Sequence, residues 1–385
     1  MFISKSRNLL CAFSLIAISS SAFPMAAWDN NNRPELMSYD YNRSFRELPL
    51  SAKLPTLPWS DHYWPTYMGG ISYRWNVKSA QDVAKYGYKL LDTKQLNHTA
   101  DLSSLSPAEK YDIYLGRYDF PLTKHERERT NILATVPGSA SFDASFTIPQ
   151  WEGLCHAWAP ATMLFKNPKP VTVTNANGIA ITFGSSDIKA LLTYFLHSSR
   201  ADKTNFLGSR CNLSFADLLE KVRKGQMSEA AMKKQMNSAE CNDTNAGAFH
   251  VALTNQIAFK KEGFVADVTR DAEVWNQPVY AYETKILAEK NGATPGAAAG
   301  TAREVTVETI MYYISEVDQH WNFVENHNSI QSKTYQYRVE LNHQGKIIGG
   351  EWLSEDRPDF IWKQTRPEFH GFFAPLKSIY VEATR

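Results

Sequence analysis

Apolar residues in the middle of the chain recur every three or four positions, the spacing of helices that bury one face. Ser106 and Pro107 form a typical pair of capping residue and first helical residue. The pattern predicts helices over residues 79–91, 106–115, 186–198, 214–223 and 228–236. The charged run KHERERT, within 123–133, fits either a solvated helix or a processing site.

After residue 245 the spacing of apolar positions changes from helical to alternating. Phe249, Val251 and Leu253 fall on one side of the first segment, and His250 on the other. The pattern predicts strands over 246–254, 264–269, 272–282, 304–317, 332–341 and 346–352, with a hairpin around 175–178. Helices followed by strands favour an α+β fold with an antiparallel sheet.

The segment IPQWEGLCHAWAPATMLF, residues 148–165, holds Cys155 just ahead of an apolar run. Pro160 is tolerated in the first turn of a helix but breaks a helix interior, so we expect the helix to begin near residue 156 or 157. Cys155 then sits at a helix N-terminus, where the helix dipole and free N–H groups stabilise a thiolate. Such a cysteine is either a nucleophile or a buried core thiol.

The composition is that of a globular protein, with 385 residues, 43% hydrophobic, 21% charged and a net charge of +1, and nothing in it indicates a nucleic-acid-binding face. Lys5 and Arg7 precede an apolar stretch and then small residues, as in a secretory leader. We expect cleavage after Ala27, with Ala22 as the alternative. No other apolar run is long enough to span a membrane, so the sequence predicts a secreted or periplasmic protein.

Three of the four cysteines lie beyond this leader. Cys211 and Cys241 flank helix-like segments, and we expect them to form a disulfide worth roughly 3–4 kcal/mol in the chain-entropy model. Cys155 is then the free thiol. The alternative, in which Cys155 is paired and another cysteine is free, stays open.

A thiol nucleophile needs a base and a group that orients the base. His250 and Asp267 fall on two successive predicted strands, which can bring both side chains to one face, although a histidine on a strand is more often structural. The backbone N–H of Cys155, with Gln150 or the Trp151 indole, is our candidate oxyanion hole, and Asn276 is a fallback orienting residue. No metal-ligand spacing, phosphate loop or serine-hydrolase elbow is present.

Several blocks of the chain resemble the transglutaminase elicitor family, typified by Phytophthora cell-wall transglutaminases. The blocks are VWNQPV (274–279), FHVALTNQ…FVADVTRDAEVWNQPV (249–279), WEGLCHAWAPA (151–161), PWSDHYWPTYMGGISYRW (58–75) and GGEW…PDFIW (349–362). The chain continues VWNQPV with YAYETK, where the elicitor peptide is more basic, so recognition by plants does not carry over. The leader is bacterial in style, and we expect a bacterial relative.

The resemblance implies a papain-like cysteine protease or transglutaminase core. It implies protein–glutamine γ-glutamyl transfer through a thioester on Cys155, with His250 as base and Asp267 as its orienting carboxylate. The implied partners are protein glutamine donors and lysine or other amine acceptors. Aromatic walls formed by Trp151, Trp158 and Trp275 would then exclude water. No cofactor is implied; a calcium requirement is left open, since the acids form no recognisable calcium loop.

We divide the chain into a leader (1–27), an N-terminal extension (28–135) and a catalytic domain (136–385). The extension is either a pro-region cut near Lys124–Arg129 or a permanent part of the fold, and the aromatic block at 58–75 favours the second. Two alternatives to a transglutaminase remain. One is a cysteine peptidase, amidase or glutamine deamidase with the same triad, and the other is a non-catalytic binding protein that displays the VWNQPV surface.

Overall fold

The structure is a computed structural model. It describes residues 28–38, 40–77, 88–96, 101–199, 201, 203–236, 241, 243–270, 272–325 and 329–385. The leader, 1–27, and most of the helix expected over 79–91 lie outside the described residues.

An antiparallel sheet forms one layer of the α+β fold, which confirms the predicted class. Its strands follow the order β4-β10-β5-β6-β7-β8-β9, with β1 paired to β6, and a separate hairpin joins β2 and β3. The strands are β1 Ser51–Lys53, β2 Val171–Thr174, β3 Ala180–Phe183, β4 Thr204–Gly208, β5 Phe264–Asp267, β6 Asn276–Asn291, β7 Arg303–Ile314, β8 Ile330–Leu341, β9 Ile347–Trp352 and β10 Phe360–Gln364.

Helices form the second layer, and most begin within one or two residues of the predicted positions. They are α1 Pro107–Tyr114, α2 Pro121–Thr130, α3 Cys155–Leu164, α4 Ser185–Ser198, α5 Phe215–Arg223, α6 Glu229–Met236, α7 Ala246–Thr254 and α8 Leu376–Ala383. Ser106 caps α1 in a full capping box with Glu109, so the sequence signal at this helix is confirmed.

Helix α3 begins at Cys155, slightly earlier than expected, so the cysteine occupies the helix N-terminus as predicted. Pro160 lies inside the helix instead of in its first turn. It lacks the N–H that would bond to the carbonyl of His156, so one helical hydrogen bond is missing there. The helix persists because tertiary packing buries Ala157, Trp158 and their neighbours on nearly every side.

The predicted strand over 246–254 is wrong, because this segment forms helix α7 and continues as a π-helical turn, Asn255–Lys260. Asn245 caps α7 by accepting hydrogen bonds from the N–H groups of Gly247 and Ala248. Every residue of α7 is buried, so the segment has no polar face, and a buried helix cannot be told from a buried strand by periodicity. A Cβ on Gly247 would lie 2.1 Å from the carbonyl oxygen of Gly349, so only glycine allows α7 to pack this closely on β9.

Residues 28–135 share a hydrophobic core with α3 and α4. Trp59, Trp64 and Tyr111 from this extension pack in one buried cluster with Trp158 and Phe195. Two buried ion pairs add to the contact, one between Lys110 and Asp187 at 2.6 Å and one between Lys189 and Asp61 at 3.8 Å. The extension and the helix that carries Cys155 are therefore parts of one folded unit.

A disulfide joins Cys211 and Cys241, as predicted, and Cys155 is the free cysteine of the described residues. Within the described ranges, no helix combines the length and the apolar character that crossing a membrane requires.

Candidate active site

Cys155 is 6% exposed and lies between the N-terminus of α3 and the chain that leads into β6. Its thiol donates a hydrogen bond to the carbonyl oxygen of Val274, with a distance of 3.4 Å. The preceding residue, Leu154, donates its N–H to the carbonyl of Tyr63 at 2.8 Å. A Cβ on Gly153 would lie 2.6 Å from the Tyr63 ring, so glycine is required for the ring to pack against the loop before Cys155.

Asn276 is the side chain that reaches the sulfur. Its Nδ2 lies 3.7 Å from the Sγ of Cys155, and its backbone N–H also donates a hydrogen bond to the sulfur. The Oδ1 of Asn276 accepts a hydrogen bond of 2.8 Å from the indole of Trp362 on β10, which fixes the side-chain amide with its nitrogen toward the thiol. Two neutral donors therefore converge on the sulfur, the arrangement that stabilises a thiolate.

Asp267 lies at the end of β5, directly opposite Asn276 in the β5–β6 register. It is fully buried, and its Oδ1 accepts hydrogen bonds from the N–H of Trp275 at 3.0 Å and the hydroxyl of Thr269 at 2.9 Å. Its negative charge raises the pKa of Cys155. The structure thus brings Cys155 and Asp267 together, and the carboxylate holds the segment that contacts the sulfur.

A second carboxylate, Glu316, follows β7 and also acts on the thiol. Both of its oxygens accept hydrogen bonds from the Nε2 of Gln277, at 2.9 and 3.0 Å. Burial raises the pKa of Glu316, and its negative charge in turn raises the pKa of Cys155.

The pKa of the Cys155 thiol is raised to about 11, mainly by burial. The hydrogen bonds from Asn276 lower it, and the charges of Glu316 and Asp267 raise it further. The thiol is therefore protonated at neutral pH in this state, so any reaction through the thiolate requires a proton to leave the sulfur.

The model of the transglutaminase elicitor family matches residues 35–372. The chain belongs to the transglutaminase elicitor family. Among solved structures, the GP42 transglutaminase from Phytophthora sojae is similar, with a TM-score of 0.63 and 23% identity over 93% of this chain and 98% of that chain. At this identity the likeness shows that the two proteins share a fold. No significant match is found among curated proteins.

In this member of the transglutaminase elicitor family, His250 has partners that differ from the expected ones. It lies on α7 and not on a strand, is 1% exposed, stacks on Phe45 and hydrogen-bonds through Nδ1 to the hydroxyl of Tyr337 at 2.8 Å. Tyr337 belongs to β8, whereas the sulfur lies at the start of β6. Cys155 and His250 therefore hydrogen-bond to different residues. Burial lowers the pKa of His250 to about 4.

The candidate lining residues separate into two groups. Trp275 is half-buried, and its ring centroid lies 5.7 Å from that of Tyr63 beside the thiol. Gln150 is exposed, and its carbonyl accepts a 2.6 Å hydrogen bond from the Tyr63 hydroxyl, which ties its loop to the same ring. Trp151 is half-buried, whereas Trp158 is fully buried in the core and cannot form a wall against a substrate.

The family's VWNQPV segment runs through this site. Asn276, Gln277 and Val279 are almost fully buried, and only Val274 and Trp275 are partly exposed. A protein that displayed this segment as a binding surface would need it exposed, so the folded structure disfavours that alternative.

Sequence reasoning missed Glu316, Gln277 and Tyr63. Glu316 follows a strand in ordinary loop sequence, and Gln277 is one of the buried positions of an alternating strand, so neither carries a local signal. Tyr63 belongs to the aromatic block 58–75, in which no pattern distinguishes it from core aromatics.

Within the described ranges, no group of three or more His, Cys, Asp or Glu side chains is arranged to hold a metal ion. A cleft of about 960 Å³ lies at the C-terminal end of α3, lined in part by Pro160, Leu164, Lys166 and Lys260, and Cys155 is not among its lining residues. Cys155 and this cleft are therefore separate features of the molecule.

Proposed function

We propose that this protein is a protein–glutamine γ-glutamyltransferase with Cys155 as its nucleophile. The observation that carries the proposal is a buried thiol at a helix N-terminus that receives two hydrogen-bond donors from Asn276. The same chain belongs to the transglutaminase elicitor family and has the fold of a transglutaminase. Protein glutamines are the donors, and lysine or other primary amines are the acceptors.

In the first step the sulfur of Cys155 attacks the side-chain carboxamide of the glutamine. A carbon–sulfur bond forms, the carbon–nitrogen bond breaks, and the thiol proton leaves with the departing ammonia. Asn276 stabilises negative charge on the sulfur as the proton leaves. The backbone N–H of Cys155, with Gln150 or Trp151, stabilises the oxyanion, and the link from Tyr63 to the Gln150 loop supports this assignment.

In this proposal Asp267 is a positioning residue. Its hydrogen bond to the N–H of Trp275 holds the segment that places Asn276 beside the sulfur. The sequence suggested that Asp267 orients His250 as the general base, but the partners of His250, Tyr337 and Phe45, give that role no support. We assign His250 to the packing of α7 on β8.

We further propose that residues 28–135 are a permanent part of the catalytic unit. The support is the shared core and the Lys110–Asp187 pair, in which both side chains are fully buried. The run KHERER lies on α2, where Glu126 is 0% and Arg127 is 5% exposed. A protease would have to unfold α2 to cut there.

The protein is proposed to act outside the cytoplasm after removal of residues 1–27, and to require no cofactor. The disulfide between Cys211 and Cys241 supports an oxidising compartment. A comparison of the purified protein with and without a chelator tests the second point, since activity that falls on chelation and returns with calcium would contradict it.

The experiment that tests the function follows incorporation of a fluorescent primary amine into a glutamine-rich protein, with ammonia release measured in parallel. Amine incorporation by the mature protein, lost by several orders of magnitude in Cys155→Ala and Cys155→Ser, supports the proposal. Ammonia release without incorporation means a deamidase with the same nucleophile. Silence in both assays, with cleavage of a peptide substrate, means a peptidase.

A further inference from the structure

We propose that Glu316 and Gln277, together with the rings of Tyr63 and Trp275, form the subsite that binds the acceptor as a primary alkylammonium ion. The inference rests on the proposed transglutaminase activity and names the group that selects its second substrate. The expected ligand class is a lysine side chain or a free alkylamine, bound in its charged form.

The first support is the hydrogen bonding of the Glu316–Gln277 pair. Gln277 uses its Nε2 to hold both carboxylate oxygens of Glu316. Its own Oε1 is buried, with the residue 4% exposed, and has no hydrogen-bond partner among the described residues. A buried acceptor without a partner costs roughly 1–3 kcal/mol, so a ligand with several N–H donors is favoured here. An ammonium has three donors and no acceptor, which matches a carboxylate beside an unsatisfied carbonyl oxygen.

The second support is the position of Glu316 relative to the nucleophile. The negative charge of Glu316 raises the pKa of both Cys155 and Tyr63, and the charge of Cys155 also raises the pKa of Tyr63. The backbone of Tyr63 is bonded to Leu154, directly before the nucleophile. Gln277, which holds Glu316, directly follows Asn276, whose amide lies 3.7 Å from the sulfur, so an ammonium at Glu316 is within electrostatic range of the thioester.

The aromatic pair supplies the apolar part of the subsite. Tyr63 and Trp275 are both half-buried, and their ring planes are tilted by 56°. Aromatic faces attract alkylammonium ions and bury the methylene chain of a lysine. This combination favours a flexible charged chain over water as the acceptor.

The proton and bond changes of the second step balance on these groups. The bound alkylammonium gives one proton to the Glu316 carboxylate and becomes a neutral amine. Its nitrogen attacks the thioester carbon, so a carbon–nitrogen bond forms and the carbon–sulfur bond breaks. The second nitrogen proton returns to the sulfur of Cys155 and restores the thiol, and Glu316 releases its proton to solvent.

Two amine acceptors distinguish an ammonium-binding role of Glu316 from a general effect of this residue on the reaction. At neutral pH an alkylamine such as cadaverine is charged, whereas hydroxylamine is mainly neutral. In Glu316→Gln we expect kcat/KM for cadaverine to fall about 10- to 100-fold, the range for losing a charged hydrogen bond. We expect hydroxylamine transfer and glutamine hydrolysis not to fall, because the variant removes a negative charge that raises the pKa of Cys155 and so opposes formation of the thiolate. The remaining cadaverine transfer in the variant rises with pH, because the amine then loses its proton in solution.

Glu308→Gln is the matched control, since Glu308 lies on β7 and one of its oxygens accepts a hydrogen bond from the side-chain amide of Gln336, at 2.8 Å. It should leave the transfer to both cadaverine and hydroxylamine unchanged. Glu316→Asp keeps the charge and should restore part of the cadaverine transfer.

An equal loss with cadaverine and hydroxylamine, or no loss with either, overturns the subsite while leaving the transglutaminase assignment intact. A loss of glutamine hydrolysis in Glu316→Gln also overturns it, since Glu316 would then act in the first step. If the unaltered protein transfers neither acceptor, the proposed function itself fails and the acceptor subsite fails with it.

Discussion

Asn276 links the backbone of β6, the indole of Trp362 and the sulfur of Cys155. Its amide is oriented from behind by Trp362, whose ring stacks on Phe206 with centroids 5.4 Å apart. The donor that faces the sulfur is therefore held in place before a substrate binds. Preorganised donors of this kind contribute more to a reaction than donors that must rotate into position.

Replacing Asn276 with alanine removes the side-chain donor and leaves the sulfur with less stabilisation of its anionic form. We expect the rate of Cys155 acylation to fall about 10- to 100-fold, and the pKa of the thiol to rise above its value of about 11. The first is measured as glutamine hydrolysis and the second as the pH dependence of thiol alkylation.

Trp362→Phe keeps an aromatic ring but loses the indole N–H donor, and it should give an intermediate loss of acylation. Asn205→Ala on β4, whose amide contacts Met37 instead, is the control. An Asn276→Ala variant with unchanged hydrolysis would show that the amide is structural.

The variant His250→Gln distinguishes a packing role of His250 from a catalytic one. Burial lowers the pKa of His250 from 6.5 to about 4, so the folded state binds this proton less readily than the unfolded state. The stability from neutral His250 is complete above pH 6.5 and is lost as pH falls toward 4, by up to about 3 kcal/mol. Glutamine cannot be protonated in this range, so the free energy of unfolding of the variant should depend less on pH between 7 and 4.

Amine transfer by folded His250→Gln at pH 7 should stay close to that of the unaltered protein. Chemical denaturation at several pH values and a transfer assay on the same samples measure both quantities. If His250 is the general base, transfer falls by orders of magnitude while the variant remains folded.

At the scale of elements, the contact between α1 and α4 connects the extension to the helix layer of the site. Lys110 on α1 bonds Asp187 on α4 and lies 4.7 Å from the centre of the Trp321 ring. Asp187 also accepts hydrogen bonds from the indole of Trp75 and the N–H of Gly184. One buried carboxylate thus joins three segments of the chain, namely α1, the segment at Trp75 and the start of α4.

Lys110→Met should destabilise the protein by about 3–5 kcal/mol, because it leaves a buried carboxylate without its cation. The double variant Lys110→Met with Asp187→Leu should recover part of this loss. Lys224→Met, which breaks an exposed pair with Glu220, is the control and should cost less than about 1 kcal/mol. Equal midpoints of denaturation for Lys110→Met and Lys224→Met would contradict a structural role for the buried pair.

The elements that the sequence predicted well are those with a local signal. Helix α4 has an apolar stripe and a capping carboxylate, and the hairpin of β2 and β3 has its turn at residues 175–178, so both are found where expected. Helix α7 was mispredicted as a strand because its alternating apolar residues are buried on every side. Only the tertiary contacts of Asn245 and Gly247 settle which structure forms there.

At the scale of the whole molecule, the extension and helix α3 share a single hydrophobic core. The carbonyl of Tyr63 binds the N–H of Leu154, and the N–H of Thr66 binds the carbonyl of Glu152. Residues from the extension thus hold the loop that ends at Cys155. Removal of the extension would expose that core and release this loop.

Limited proteolysis of the native protein tests this arrangement. We expect trypsin to leave the bonds within Lys124–Arg129 intact, because Arg127 is buried and bonded to the carbonyl of Tyr88. The bond after Lys224 at the exposed end of α5 should be cut first, and mass spectrometry of the fragments identifies both sites. A clean cut within 124–129 that raises amine transfer would instead establish 28–135 as a pro-region.

The sequence by itself determined the fold class and the position of Cys155 at the start of a helix, and it indicated the family, because these depend on local spacing and on distinctive residue blocks. It favoured the Cys211–Cys241 disulfide, which the structure then settled. It also named Asp267 and Asn276, which lie on strands with clear alternation. The tertiary structure decided the neighbours of the thiol. Glu316, Tyr63 and Trp362 come from distant parts of the chain, and His250 is directed elsewhere by the packing of α7, because contacts between segments depend on how the layers pack.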